Sequence, residues 1–539
     1  MSTRSWLAIG LSCSIAGLGA SSPAPEAHTN QEATVPHLLD FELAEIELPR
    51  EAGDRFSTAV MIEGQVYGLR LHPHSVRAPD FQLLVDSGDG RLEPVEPPPP
   101  STYRGSVQGV PGSRVTASLI DGGLTATIQL DEETVWHVEP LAKAAAVDAP
   151  RTVHAVYRDE DVELPGGWCG TTDAHRVPRE HMGGGGGGGA AAGSGPRIID
   201  FAVDADVEYW QKNASSVVAT MVDIEKVVNG MEGIYGSQAD LVFEVTTIVV
   251  RTGSPDDDPY NASDCSGMLN QFTNTWTSSP ESNIRRDAAQ LFTGRNVSGC
   301  LGIAWVGTVC NYGYQYSVVE SKASGLAFAS RVGLSCHELG HNFDASHCCE
   351  GCSGCIGCRI MCPCLGGCSG NVSSFGSEAL AEIVSFAGML GCLSDDAPPL
   401  DPPFFDDFGS GAVDPSKWVY SDGATVNTSA LNEPSAPYSL NLDAGGSQEY
   451  QDDEVRTNFI DLSQVDNAFV SYSTQHRGVE SGESLIVEYW ALNRWTELNA
   501  IVSDGADQDS FTGWVHDLAG LYPSAFHEEF RVRFRTEVS

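Results

Sequence analysis

The chain is short of positive charge: 30 Lys and Arg stand against 73 Asp and Glu in 539 residues, a formal net charge of −43 at pH 7. Such a surface repels nucleic acid and anionic membranes, and it suits solubility outside the cell, a salty medium or bound calcium. Long apolar runs are missing too. Apart from residues 6–20, no segment approaches the ~20 apolar residues of a membrane helix. No internal repeat spans the chain, which excludes a repeat array.

What is present is ordinary for folded protein, with 41% hydrophobic and 19% charged residues. The length exceeds one compact core and implies two to four domains. Arg4 precedes the apolar run that ends at Ala20, and small residues surround its end (Gly19, Ser21, Ser22), so residues 1–20 read as a cleavable secretory signal and the protein as secreted. Of 15 cysteines, eight (348, 349, 352, 355, 358, 362, 364 and 368) fall within 21 residues. In an exported chain that density means disulfides. A zinc ribbon or iron–sulfur cluster would need a reducing compartment to persist.

Along the chain, residues 37–160 alternate with the period of strands, as at 66–71 and 115–120, and turn residues punctuate them. Residues 21–182 are read as a β-rich N-terminal domain without catalytic groupings of its own. Seven consecutive glycines, Gly183 to Gly189, open a linker over 183–196 that has nothing to pack. Strands are expected at 197–204, 241–250, 301–306 and, as a short edge piece, 316–319. Helices are expected at 216–235 and 378–390, making 197–395 an α/β domain with a mixed, twisted sheet. Residues 396–403 form a proline-stiffened linker. Many short strands follow in 404–539, spaced as in an all-β, jelly-roll-like sandwich. Trp418, Trp490 and Trp495 in that module are either sandwich core, the commoner case, or a platform for a carbohydrate; the module's ligand could equally be a protein. Asp256, Asp257 and Asp258 are a calcium candidate against the commoner reading of a solvated acidic turn.

The chemistry concentrates in Cys336-His337-Glu338-Leu339-Gly340-His341 and in His347. Two histidines four apart lie on one helix face a turn apart, so both imidazoles can meet one Zn²⁺. Glu338 lies beside the same ion and can take a proton from zinc-bound water. His347 follows His341 by six residues, too far to continue that face, so the chain must turn after Phe343 to bring back a third ligand. Three nitrogens and a water make the open tetrahedral site of a catalytic zinc.

This sequence resembles the metzincin zinc proteases, whose signature is HExxHxxGxxH followed by a methionine turn. Met361, in Arg359-Ile360-Met361-Cys362-Pro363, stands where that turn is expected, 14 residues after His347. The run from Ile303 to Cys310, then Tyr316 to Val319, and Met389 to Leu393 are similar to the adamalysin (reprolysin) family of snake-venom and ADAM-type proteases, over about residues 197–395. The resemblance implies a metzincin catalytic domain with a zinc-binding helix. It implies zinc ligands His337, His341 and His347, Glu338 as general base, and a disulfide between Cys310 and Cys392. It also implies protein or peptide substrates lying extended along an edge strand above the helix. Two positions depart from the family: Asp344 replaces its glycine, and Cys348 replaces its usual aspartate. Asp enters the left-handed region more readily than most residues, so the turn should survive.

Cys169, in Gly166-Gly167-Trp168-Cys169-Gly170, is the second chemical candidate. A thiolate in the fourth zinc position would displace the catalytic water, which resembles the cysteine switch of metzincin precursors. The alternative is an ordinary disulfide partner, with 14 cysteines beyond Cys13 pairing evenly; against that, Cys336 inside the helix is a plausible unpaired residue. Activation would then cut between Arg176 and Arg197. The expectation is a zinc endopeptidase made as a zymogen. Its rivals are a catalytically weak adhesion protein acting through the C-terminal module and a non-peptidase zinc hydrolase.

Overall fold

A computed structural model describes residues 35–49, 55–131, 133–145, 148–163, 168–177, 196–322, 326–349, 357–364, 371–395, 399–414, 416–442, 453–491 and 495–537. The signal-like segment, Cys13, the glycine run and Cys352, Cys355 and Cys368 lie outside them.

Among the described residues, ten strands precede the glycine run: β1 (Glu42–Glu45), β2 (Phe56–Ile62), β3 (Gln65–His74), β4 (Arg77–Asp86), β5 (Glu93–Val95), β6 (Thr102–Val107), β7 (Arg114–Ile120), β8 (Gly123–Gln129), β9 (Val135–Pro140) and β10 (Val153–Arg158). Eight of them form an antiparallel sheet in the order β1-β10-β9-β8-β7-β6-β3-β2. Its first and last strands approach each other, so the sheet is a nearly closed barrel. Alternation sets the inside: Val60 and Ile62 are buried in β2 while Met61 between them is exposed. Leu69, Leu71, Val115, Ile128 and Trp136 fill the same interior.

Sheet membership does not follow sequence order. β4 and β5 leave the barrel and join the central sheet, whose order is β14-β15-β13-β11-β12-β4-β5. Its other strands are β11 (Arg197–Ala205), β12 (Leu241–Arg251), β13 (Ala288–Phe292), β14 (Gly302–Ala304), β15 (Tyr316–Val319) and β16 (Ser394–Asp395), the last pairing with β11. The neighbours from β15 through to β4 run parallel, and β14 and β5 close the edges antiparallel. The sheet is mixed, as expected. The edge piece expected at 316–319 is instead an interior strand, buried at all four positions, and the edge belongs to β14.

Among the described residues the helices are α1 (Leu141–Ala144), α2 (Val207–Lys212), α3 (Val217–Ala239), α4 (Cys265–Trp276), α5 (Phe328–Asn342), α6 (Ser377–Met389) and α7 (Leu518–Leu521). The Ser216 hydroxyl caps α3 by accepting from Ala219 N at 3.2 Å, and α3 ends where Asp240 turns left-handed at φ 51°. On one face of the central sheet, α3, α5 and α6 pack with Phe201, Phe243 and Val245. On the other, α4 contributes Met268, Phe272 and Trp276. Each such large side chain buried contributes about 1.5–3 kcal/mol. Disulfides join Cys265–Cys300, Cys310–Cys392 and Cys348–Cys358. Among the described residues no helix is long and apolar enough to cross a membrane.

The last part is mainly β apart from the short α7, with β17 (Trp418–Asp422), β18 (Ala424–Asn427), β19 (Ser439–Leu442), β20 (Glu454–Thr457), β21 (Phe469–Thr474), β22 (Ser484–Trp490), β23 (Trp495–Val502), β24 (Thr512–Asp517) and β25 (Val532–Glu537). Five strands form a sheet in the order β17-β20-β25-β22-β23, and β18-β19 and β21-β24 pair separately. Val470 and Tyr472 of β21 pack on the core formed by Val487, Tyr489, Phe526 and Phe530. Trp418 and Trp490 are buried, and Trp495 lies under the Arg533 guanidinium at 4.3 Å.

Candidate metal centre

Helix α5 is buried along its whole length, which fixes the direction of each side chain it offers. His337 and His341 project from it one turn apart, with Glu338 next to His337. Past its end Asp344 adopts φ 70°, and Ala345 N donates back to Gly340 O at 3.0 Å. That left-handed turn reverses the chain and returns His347 to the helix. The three Nε2 atoms then lie 3.1–3.2 Å from one another.

These nitrogens cannot satisfy one another. His337 Nδ1 faces Ile360 O at 2.6 Å and His341 Nδ1 faces Ala345 O at 2.7 Å, so both rings carry their proton on Nδ1 and aim a bare Nε2 inward. Burial also keeps the rings neutral, bringing His337 down to about 3, assisted by His347, and His347 down to about 4. Burial and the neighbouring histidines push His341 well below the ordinary range as well. Converging lone pairs on neutral imidazoles fit a divalent cation of the zinc type. The separations are near the ~3.3 Å expected of two nitrogens each about 2.0 Å from one tetrahedral ion.

Glu338 is fully buried beside this point. Its Oε1 has no hydrogen-bond partner, and burial pushes its carboxyl up to about 8. Gly302 of the edge strand leaves room for it, because an added Cβ there would sit 2.4 Å from Glu338 Oε1. Met361 is buried under α5, and Gly340 admits it: an added Cβ would lie 2.8 Å from the Met361 sulfur. The Cys348–Cys358 disulfide ties the residue after His347 to the loop that carries Met361. Cys349, Cys362 and Cys364 are also disulfide-bonded.

Cys169 is unpaired and lies across the site. Its Sγ is 3.5 Å from His341 Nε2 and 3.5 Å from Glu338 Oε2, and it joins the three histidines in one group of potential ligand atoms within 4.8 Å. Burial and then the Glu338 charge hold the thiol well above its usual range. The residues around it run parallel to the edge strand, with Cys169 bridging Gly302 and Arg176 bridging Val306. Cys336, the other unpaired cysteine among those described, is buried inside α5 away from this group.

Residues 195–375 match the profile described as "Metallo-peptidase family M12", about a third of the chain. "Disintegrin and metalloproteinase domain-containing protein 19" of Mus musculus is 25% identical over 344 residues, 58% of this chain and 34% of that protein. "Zinc metalloproteinase-disintegrin-like atragin" of Naja atra is 25% identical over 279 residues, 50% of this chain and 44% of that one. The chain carries a metalloprotease domain homologous, at low identity, to ADAM/reprolysin family members. It spans less than half the length of these relatives. A solved structure described as "Structure of a chaperone-substrate complex" matches 36% of this chain at 16% identity with a TM-score of 0.27, too slight a likeness to bear on function.

Several participants were not foreseen from sequence. Thr171, two residues after Cys169, has its Oγ1 3.5 Å from Glu338 Oε2 while accepting from Ala304 N at 2.9 Å. The carbonyls of Ile360 and Ala345 orient two of the histidines, and no side-chain signal marks a backbone oxygen. Arg176 pairs with Asp344 and donates to Ser346 Oγ at 3.1 Å. The unusual residue at the family's glycine position was the signal for that contact. In the acidic turn, Asp256 and Asp257 are exposed, whereas Asp258 is buried and accepts from Val207 N at 2.7 Å and Tyr260 N at 2.9 Å.

Proposed function

We propose that the chain is a secreted, zinc-dependent endopeptidase made as a zymogen, acting on protein or peptide substrates. The observation that carries this reading is the convergence of three neutral imidazole nitrogens beside a buried carboxylate, with a free thiol laid over them. His337, His341 and His347 would hold the ion. Bound zinc supplies the Lewis acidity that makes water nucleophilic near neutral pH and polarises a carbonyl. Glu338 takes the proton from the attacking water and hands it to the leaving amine, a role suited to a buried carboxyl held beside the three imidazoles. Cys169 blocks this chemistry in the intact chain, because its Sγ occupies the position facing both Glu338 and His341. The disulfides and the signal-like N-terminus support an extracellular destination.

The test is cleavage of denatured casein by the purified chain before and after nicking in the glycine linker, with and without a chelator. Activity should appear on nicking and vanish with the chelator. Glu338→Ala should lower it about 10³-fold, the contribution of a positioned general base, at unchanged zinc content. A nicked, zinc-loaded chain that cleaves nothing would defeat the proposal.

A further inference from the structure

Two strand-like parts of the region before the glycine linker lie along the central sheet, and they do so differently. Residues 168–177 run along the edge strand β14 and the residues just after it, through isolated bridges of Cys169 to Gly302 and Arg176 to Val306. By contrast, β4 lies alongside β12 in a parallel ladder from Arg77–Val245 to Asp86–Arg251. Its side chains enter both cores, Leu83 on the α3 side and Leu84 on the α4 side. Both ends are fastened by buried ion pairs. Arg77 is paired with Glu225 of α3, and Arg251 of β12 donates to Asp86 at 2.8 Å.

The barrel supplies a second, independent attachment. Helix α5 begins without a capping side chain of its own. Glu139 of β9 fills that role, accepting from Phe328 N at 2.8 Å, and the Tyr157 hydroxyl of β10 donates to the same carboxylate. The helix that presents the metal ligands is therefore finished by residues far upstream of the linker.

We propose that cutting the linker frees only residues 168–177, while residues 35–163 remain as a permanent, non-covalently held second chain of the catalytic unit. This takes the zymogen reading as its starting point and adds the partition of the chain. The first 182 residues contain Cys13 and Cys169 alone, and Cys169 is unpaired, so among the described residues no disulfide joins the two pieces. Their association rests on the ladder, the two cores and the buried pairs, which salt screens poorly.

The experiment replaces part of Gly183 to Gly189 with a specific protease site, cuts the full chain there, and follows the products without reference to peptidase activity. Native size exclusion in 1 M NaCl should give one peak holding both fragments, while a denaturing gel separates them. Amide exchange should remain slow across 77–86 and 245–251 and become at least tenfold faster across 168–177. The double variant Arg77→Met with Glu225→Leu removes one buried pair without leaving a lone charge, and should speed fragment loss on dilution. Release of a free N-terminal fragment from a soluble, folded remainder would overturn the proposal, and so would 168–177 remaining protected after the cut. Failure to cleave casein would bear on the enzymatic reading and leave this result untouched.

Discussion

The strand Arg77–Asp86 and the segment 168–177 both come from upstream of the glycine linker and both extend the same sheet, the first beyond β12 and the second beyond β14 on the opposite side. The first buries both its ends, with Leu83 and Leu84 in the two cores and Arg77 and Asp86 in internal ion pairs, and leaves only its middle, at Pro79, Asp80 and Gln82, exposed. The second exposes Trp168 at 60% and makes its main ion pair, Arg176 with Asp344, at the surface. Strand addition alone therefore says little about permanence. Burial, ladder length and whether the charges face solvent decide whether an added strand is structure or stopper.

The largest effect that could break this contrast is expected at the buried pair. Arg77→Met alone leaves Glu225 charged and unpartnered in the core and should destabilise the chain by about 3–5 kcal/mol, read as the chemical denaturation midpoint. A loss under 1 kcal/mol would place β4 with the removable segment. The second prediction concerns pH. Burial and Arg104 depress the His74 pKa, but Glu232 and Glu528 flanking the ring raise it to about 10, and His72 and Glu529 also face this cluster. A raised histidine stabilises fully below its unfolded value of about 6.5 and progressively less as pH rises towards 10. Cohesion of the cut fragments should weaken over that window by on the order of a few kcal/mol, and His74→Gln should flatten the dependence.

At the other edge the expected changes are smaller. Cys169→Ser removes the thiol from the metal site and should raise the uncut chain's activity about tenfold or more, equivalent to ~1.4 kcal/mol of lost blockade. Unchanged latency would transfer the inhibitory role to the backbone bridges. Asp344→Gly keeps a residue suited to positive φ but removes the partner of Arg176. A surface pair of this kind contributes about 0–1 kcal/mol, so basal activity should rise at most several-fold, and less in high salt.

The metal site was the most legible part of the sequence, because its chemistry is written in side chains at fixed helical spacing: His337, Glu338 and His341 on one face, and His347 after a turn. Strand positions were legible too, with 316–319 matching β15 residue for residue. Which sheet a strand joins was not. Arg77–Asp86 follows its neighbours as one more strand in the series, and its partner lies 165 residues downstream at Asp86–Arg251, with no turn residue to announce the pairing. The same distance hid Glu139 as a cap for α5, since a cap is recognised in sequence only when it directly precedes its helix.

That cap also bears on how the molecule is made. Synthesis delivers residues 135–158 long before 328–342, and domains generally fold in the order they emerge. The barrel can thus be complete, with Glu139 and Tyr157 already in place, when the metal-binding helix leaves the ribosome. The helix would form against a waiting template, and a catalytic domain synthesised without residues ahead of it would begin that helix with its first amides unsatisfied.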